Sequence, residues 1–137
     1  MKIKAMIACI LAVAMLAAGA VPAFAVYDVR TEATDYGTLY GNLQLTRPQN
    51  SNDSSRVTCL ASLTTGNQKV DKVIAYFEIW SCYYGDEIWR ETKTETNASN
   101  ATAAVTIWLF DELVNIYGRA EIRHTKSFAV YPRLYSV

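Results

Sequence analysis

The chain of 137 residues is poor in the side chains on which most enzyme chemistry depends. His124 is its only histidine, so any Ser-His-Asp or Cys-His arrangement must use it as base, and nothing in the sequence sets a nucleophile beside it. Zinc needs several histidines and cysteines at ligand spacing, which is absent here. Paired carboxylates could be drawn from Asp86, Glu87 and Glu91 or from Asp111 and Glu112, but adjacent acids at turns are ordinarily solvated rather than paired for acid/base work. The loop Asn50-Ser51-Asn52-Asp53-Ser54-Ser55 offers oxygens but one carboxylate, and it lacks EF-hand spacing. The reading is therefore a non-enzyme, with no catalytic residue, no metal site and no cofactor. Basic clusters are missing too, which argues against nucleic acid and against an anionic membrane surface as partners. After Val26 no apolar run is long enough to span a bilayer. No internal repeat and no low-complexity segment is visible.

What is present begins at the N-terminus. Lys2 and Lys4 form a positive head, Ile7 to Ala18 is unbroken apolar sequence, and Ala23-Phe24-Ala25 has the small-x-small pattern of a cleavage site. Gly19 and Pro22 interrupt the run before it reaches the roughly 20 residues of a spanning helix. Residues 1–25 thus read as a secretory signal peptide cut between Ala25 and Val26, with residues 26–137 as one exported domain. Cys9 has too few apolar residues before it to be a lipoprotein cysteine. The lysine head and alanine-rich core have a bacterial look. Removal of the segment takes away Lys2 and Lys4 and no carboxylate, leaving 11 basic against 13 acidic side chains and a formal charge of −2. The expected product is secreted, extracellular and free of the membrane.

Two cysteines remain, Cys59 and Cys82, and an exported protein meets oxidants. A Cys59-Cys82 disulfide would close a loop of about two dozen residues and stabilise by roughly 3 kcal/mol; the alternative is two buried reduced thiols.

Strand periodicity dominates the mature chain. Leu39, Gly41, Leu43 and Leu45 alternate with Tyr40, Asn42, Gln44 and Thr46, and Val57, Cys59, Ala61 and Leu63 form the apolar set of Arg56 to Leu63. Val70 to Tyr84 and Ala101 to Leu109 follow the same rule, with further candidates at Val114 to His124 and Lys126 to Leu134. No segment sustains a helical period, and β-branched and aromatic residues fill the candidate strands. Six or seven strands without helices predict an all-β fold, a two-sheet antiparallel β-sandwich of immunoglobulin-like type, with a small barrel as the alternative.

Gly85-Asp86 suggests a two-residue type II′ hairpin, which places Tyr84 opposite Glu87, Cys82 opposite Trp89, Trp80 opposite Glu91 and Glu78 opposite Lys93. Val73, Ala75, Phe77, Ile79 and Ile88 then form the core side. Tyr76, Trp80 and Trp89 share the other side with Glu78, Glu91, Lys93 and Glu95. In this register Cys82 points away from the face of Cys59, so a bridge needs a β-bulge between Ile79 and Cys82 or a position at a sheet edge; the bulge is favoured.

The order of parts resembles small exported single-domain β-sandwich proteins of Firmicutes, a loosely defined group. The likeness rests on the Ala-Phe-Ala signal, Val57-x-Cys59-x-Ala61, and a long strand turning at Gly85 into Trp89. It continues through Tyr117-Gly118-Arg119, Thr125-Lys126-Ser127 and the tyrosine-rich end. The resemblance implies fold and export and brings no catalytic residues.

Aromatic residues are the remaining signal, with nine tyrosines and three tryptophans. Their first role on strands is packing. A platform of Tyr76, Trp80 and Trp89 ringed by hydrogen-bonding groups is nevertheless how a sandwich module holds a sugar or a protein. The expected function is a secreted, non-catalytic binding or interaction protein for a glycan, cell-envelope or protein ligand. The alternative is a bacteriocin-like antagonistic factor or an enzyme inhibitor.

Overall fold

The computed structural model of the chain describes residues 24–48, 54–64, 69–109 and 113–135. Most of the expected signal peptide, the centre of the oxygen-rich loop at 50–55, and Asp111 and Glu112 lie outside the described residues.

The described residues form nine strands and no helix: β1 (Phe24–Thr34), β2 (Gly37–Arg47), β3 (Ser55–Thr64), β4 (Val70–Ser81), β5 (Glu87–Ala98), β6 (Asn100–Ile107), β7 (Val114–Arg123), β8 (Ser127–Val130) and β9 (Arg133–Leu134). All pairings are antiparallel. One sheet has the order β1-β2-β3-β6; the other has β5-β4-β7-β8, with β9 also pairing β7. Among the described residues each sheet keeps open edges, so the architecture is two packed sheets rather than a closed barrel.

Alternation decides which side chains lie between the sheets, because successive residues of a strand point to opposite faces. Leu39, Leu43 and Leu45, Val57, Cys59 and Ala61, and Ala101 and Ala103 face inward from the first sheet. From the second sheet they meet Val73, Ala75, Phe77 and Ile79, and Val114, Ile116, Ala120 and Ile122. Each large member contributes roughly 1.5–3 kcal/mol by leaving water. Two inward-facing glycines leave no room for a side chain. A Cβ on Gly41 would lie 2.8 Å from Val130 and 3.0 Å from Ala120, and one on Gly118 would lie 3.0 Å from the Pro132 ring. This clearance lets the buried Pro132 break the last strand candidate into β8 and β9, leaving Tyr131 at the surface.

The first strand shows why its sequence conceals it. Asp28, Arg30 and Glu32 pair with Leu43, Gly41 and Leu39 and so point toward the core side, the opposite of an amphipathic pattern. Position at the sheet edge permits this, and inward-pointing charge protects an open edge from further pairing. Thr34 pairs with Gly37 across a two-residue turn at Asp35 and Tyr36, held by the Tyr36 N–H donating to Thr34 Oγ1 at 3.1 Å. The expected processing point between Ala25 and Val26 falls at the start of this strand.

The Gly85-Asp86 turn is not a two-residue hairpin. Residues 82–86 form the connection, closed by Ser81 N–H to Asp86 C=O at 2.9 Å and Gly85 N–H to Ser81 C=O at 3.0 Å. Gly85 takes φ +69°, a left-handed conformation that suits glycine. The longer loop moves the register: Glu78 faces Arg90 rather than Lys93, and Ile79 faces Trp89. A bulge does lie between Ile79 and Trp80, but the extra residue, Ile88, is on β5.

No Cys59-Cys82 disulfide forms; both thiols are free, Cys59 buried and Cys82 exposed. Cys59 sits mid-strand opposite Leu43 and Ala103, and its thiol donates to the Arg119 carbonyl at 3.8 Å. Arg119 pairs with Tyr76, and Cys82 lies six residues beyond Tyr76, roughly 20 Å along the strand direction. A bridge needs Cα atoms about 5.5 Å apart.

Candidate functional site

The new register separates the three aromatics expected to share a platform. Tyr76 and Trp80 remain on the outer face of the second sheet. Trp89, opposite Ile79, turns to the inner side of the β5 edge, where it is 41% exposed and its indole N–H donates to Glu91 Oε2 at 3.0 Å. Glu91, Lys93 and Glu95 follow it to that side, leaving Arg90, Thr92 and Thr94 beside Glu78, Tyr76 and Ile74.

The residues that join Tyr76 and Trp80 come from β7 and the segment after β8. Cross-strand pairing sets Asn115 beside Trp80, Tyr117 beside Glu78 and Arg119 beside Tyr76, and Arg133 of β9 beside Tyr117. Sequence reasoning missed Tyr117, Arg119, Tyr131 and Arg133 because non-local pairing brings them together. The available signal was alternation itself: Tyr117-x-Arg119 and Tyr131-x-Arg133-x-Tyr135 each present aromatic and guanidinium groups to one face.

The geometry is a ladder of rings and guanidinium groups. Arg119 Cζ stands 4.8 Å from the centroid of Tyr76, with Arg90 Cζ at 6.0 Å; Arg133 Cζ stands 5.9 Å from Tyr117. Tyr135 meets Tyr117 edge-on at 6.0 Å, and its hydroxyl accepts from Arg133 Nη1 at 3.2 Å. Such contacts restrain otherwise flexible arginine side chains. Carboxylates fix the rest. Arg90 binds Glu87 through two bonds of 2.8 and 2.7 Å, and the Tyr76 hydroxyl donates to Glu78 Oε2 at 2.7 Å. Burial, and then the Glu78 carboxylate, push the Tyr76 phenol up to about 12, so it remains a neutral donor across the physiological range. Arg119 Nε makes no hydrogen bond, lying 3.7 Å from Glu121 Oε2.

Two shallow depressions flank Glu78 and Tyr117, which line both. One, of about 440 Å³, is bounded by Trp80, Cys82, Gly85 and Asn115; the other, of about 420 Å³, by Tyr76, Arg90, Arg119 and Tyr131. Trp80 is half-buried, and its Nε1 has no partner although the atom is shielded from solvent.

The only histidine is remote from this face. His124 Nδ1 accepts the Asp71 N–H at 3.3 Å, and the ring meets Tyr36 edge-on at 5.1 Å. Among the described residues no group of three or more His, Cys, Asp and Glu is placed to hold a metal ion. The face therefore offers rings, guanidinium groups and carboxylates, all suited to hydrogen bonding and stacking. Compared with protein-family models, with curated proteins and with solved structures, the chain matches none of them.

Proposed function

We propose that the chain is a secreted, non-catalytic binding module that lays a glycan segment across the outer face of β4 and β7. The observation that carries this reading is the pair of depressions sharing Glu78 and Tyr117, edged by Trp80, Tyr76 and Tyr131 and by arginines held in place. Sugars present apolar ring faces and rims of hydroxyls. Aromatic rings take the first, and paired carboxylate and guanidinium groups take the second. Each depression lies at the small end of ligand-site volumes, fitting short saccharide units rather than a deep enclosed substrate.

We infer further that the sandwich is of immunoglobulin-like type. Its support is the crossing pattern: β3 pairs β6 and β4 pairs β7 in opposite sheets, while β4 to β5 and β7 to β8 are hairpins. Export accords with a binding role outside the cell. The test is a glycan array followed by calorimetry on the best binder, using protein purified from an exporting host. Tyr117→Ala and Tyr131→Ala should each weaken binding at least tenfold with the fold retained by circular dichroism. Unchanged affinity in both variants, or no glycan bound at all, overturns the reading.

A further inference from the structure

We infer that the open edge of β6 pairs with the same edge of a second copy of this chain, joining two four-stranded sheets into one of eight strands. The edges of this protein are not treated alike. β1 carries Asp28, Arg30 and Glu32 on its inward side, and β5 carries Glu91, Lys93 and Glu95 opposite the core residues of β4. Both use inward charge, which obstructs an added strand. The sequence of β6, Asn-Ala-Thr-Ala-Ala-Val-Thr-Ile, has no charge, no glycine and no proline.

The phase of its ladder shows which groups are free. The Leu63 N–H donates to the Ser99 carbonyl at 2.8 Å, so directly opposite pairs two residues on, Ala61 with Ala101, Cys59 with Ala103 and Val57 with Val105, exchange the ladder bonds. Asn100, Thr102, Ala104 and Thr106 therefore turn their N–H and C=O groups away from β3. Among the described residues nothing takes these groups. Their side chains are small and uncharged, and Asn100, Thr102 and Thr106 are exposed. Trp108, just past the strand, is 68% exposed.

A second copy is the occupant that fits because the edge complements itself. A two-fold axis through Ala103 sets Thr102 opposite Ala104 and Asn100 opposite Thr106, so every outward residue meets a small neutral one. Trp108 of each copy then reaches Ala98 of the other. No side-chain pocket or charge along β6 would read a different sequence, as edge-adding peptide sites do. Eight residues span about 26 Å, less contact than a standard interface of about 800 Å² per partner, so the dimer forms and dissociates with concentration.

Sedimentation velocity on the purified exported protein, from micromolar to several hundred micromolar, should show a shift from one chain toward two. Thr102→Pro and Ala104→Pro each delete an outward N–H while sparing every bond to β3, a replacement edge strands tolerate. Each should leave one chain at all concentrations, with wild-type circular dichroism; if one fails to fold, the other carries the test. Amide exchange at Thr102, Ala104 and Thr106 should slow at least tenfold between dilute and concentrated wild type. A wild type that stays single at every concentration, a dimer that survives the folded proline variants, or a dimer without protection of those amides overturns the inference.

Discussion

The two outer faces of the sandwich rest on the same kind of interior and differ almost completely in chemistry. On the first sheet the outward residues of the central strands are Tyr40, Asn42, Gln44 and Thr46 and their partners Ser62, Leu60, Thr58 and Arg56, among which Arg56 alone is charged. On the second sheet the corresponding rows pair Glu78 with Arg90 and Tyr117, and Tyr76 with Arg119. The interiors, by contrast, are alike, both built mainly of aliphatic side chains with Cys59 in the first sheet and Phe77 in the second. Core burial thus specifies the scaffold, and the chemistry of the surface is carried by alternate positions that the core does not constrain. The neutral face is also the more closed of the two, since Tyr40, Asn42 and Gln44 are buried despite pointing outward. The rings and arginines of the second sheet instead leave depressions between them.

Disturbing what the two faces share should have the largest effect. Gly41→Ala places a Cβ within 2.8 Å of Val130 and 3.0 Å of Ala120, both in the interior of the opposite sheet. Overpacking of this kind costs typically 1–3 kcal/mol, and we expect the upper half of that range by urea denaturation, with glycan binding and β6 pairing weakened together. A stability change below about 0.5 kcal/mol would mean the sheets are less closely apposed at Gly41 than described.

Between the faces the comparison becomes unequal. Tyr76→Ala removes the ring between Arg119 and Arg90 and the hydrogen bond to Glu78, and should cost about 1–2 kcal/mol. Thr58→Ala, at a half-buried outward position of the first sheet, should stay within about 0.5 kcal/mol. Equal losses in the two variants would remove the energetic distinction. Alkaline titration probes the seam between the sheets. Burial raises the Cys59 thiol from 9.0 to about 11, so the unfolded chain releases its proton first as pH rises. The stabilisation is complete below pH 9 and declines between pH 9 and about 11, by up to about 1.4 kcal/mol per pH unit. In Cys59→Ala this part of the decline should vanish, leaving the later loss that the Tyr76 phenol imposes between pH 10 and about 12. The same alkaline profile in variant and wild type would exclude Cys59 as its source.

On the neutral face Asn42 is 7% exposed and its Oδ1 has no hydrogen-bond partner. A shielded acceptor without a donor costs about 1–3 kcal/mol, so Asn42→Val, which also suits a strand, should raise stability by about 1 kcal/mol in the same urea assay. A loss would show that the amide is satisfied in solution.

The interior was legible in sequence because period-two alternation has one cause, burial of one face. Leu39, Leu43 and Leu45, Val57, Cys59 and Ala61, and Val73, Ala75, Phe77 and Ile79 follow from it directly. Where two causes compete the pattern fails. β1 at an edge turns its charges inward, so alternation points the wrong way. Gly85 satisfies both a type II′ turn and the left-handed close of a longer loop, and residue identity does not choose between them. That one ambiguity moved Trp89 to the other side of the sheet. For the candidate site, Tyr76 and Trp80 were visible on their own strand, while their companions on β7 and β9 depend on which strands become neighbours. The cysteines mislead for a related reason, as a count of two says nothing of their levels along the strands.

The smallest expected change in stability separates a packing tryptophan from one that waits for a ligand. Trp80 borders one of the two depressions, half-buried beside Asn115, and its indole N–H is shielded yet unpaired. A buried donor without an acceptor favours removal, while the smaller ring gives up some contact area, so Trp80→Phe balances a gain against a loss. The melting free energy should stay within about 0.5 kcal/mol of wild type. Binding should respond differently. If a sugar hydroxyl supplies the missing acceptor, the variant loses that hydrogen bond but keeps an aromatic surface, and affinity falls about five- to tenfold, equivalent to about 1–1.4 kcal/mol. Calorimetry with the glycan selected on the array reads this directly against Thr58→Ala on the neutral face, which should bind as wild type. A Trp80→Phe protein that binds as well as wild type would reduce the indole to a ring among rings, and the depression would owe its specificity to its other polar groups, Glu78, Asn115 and Tyr117.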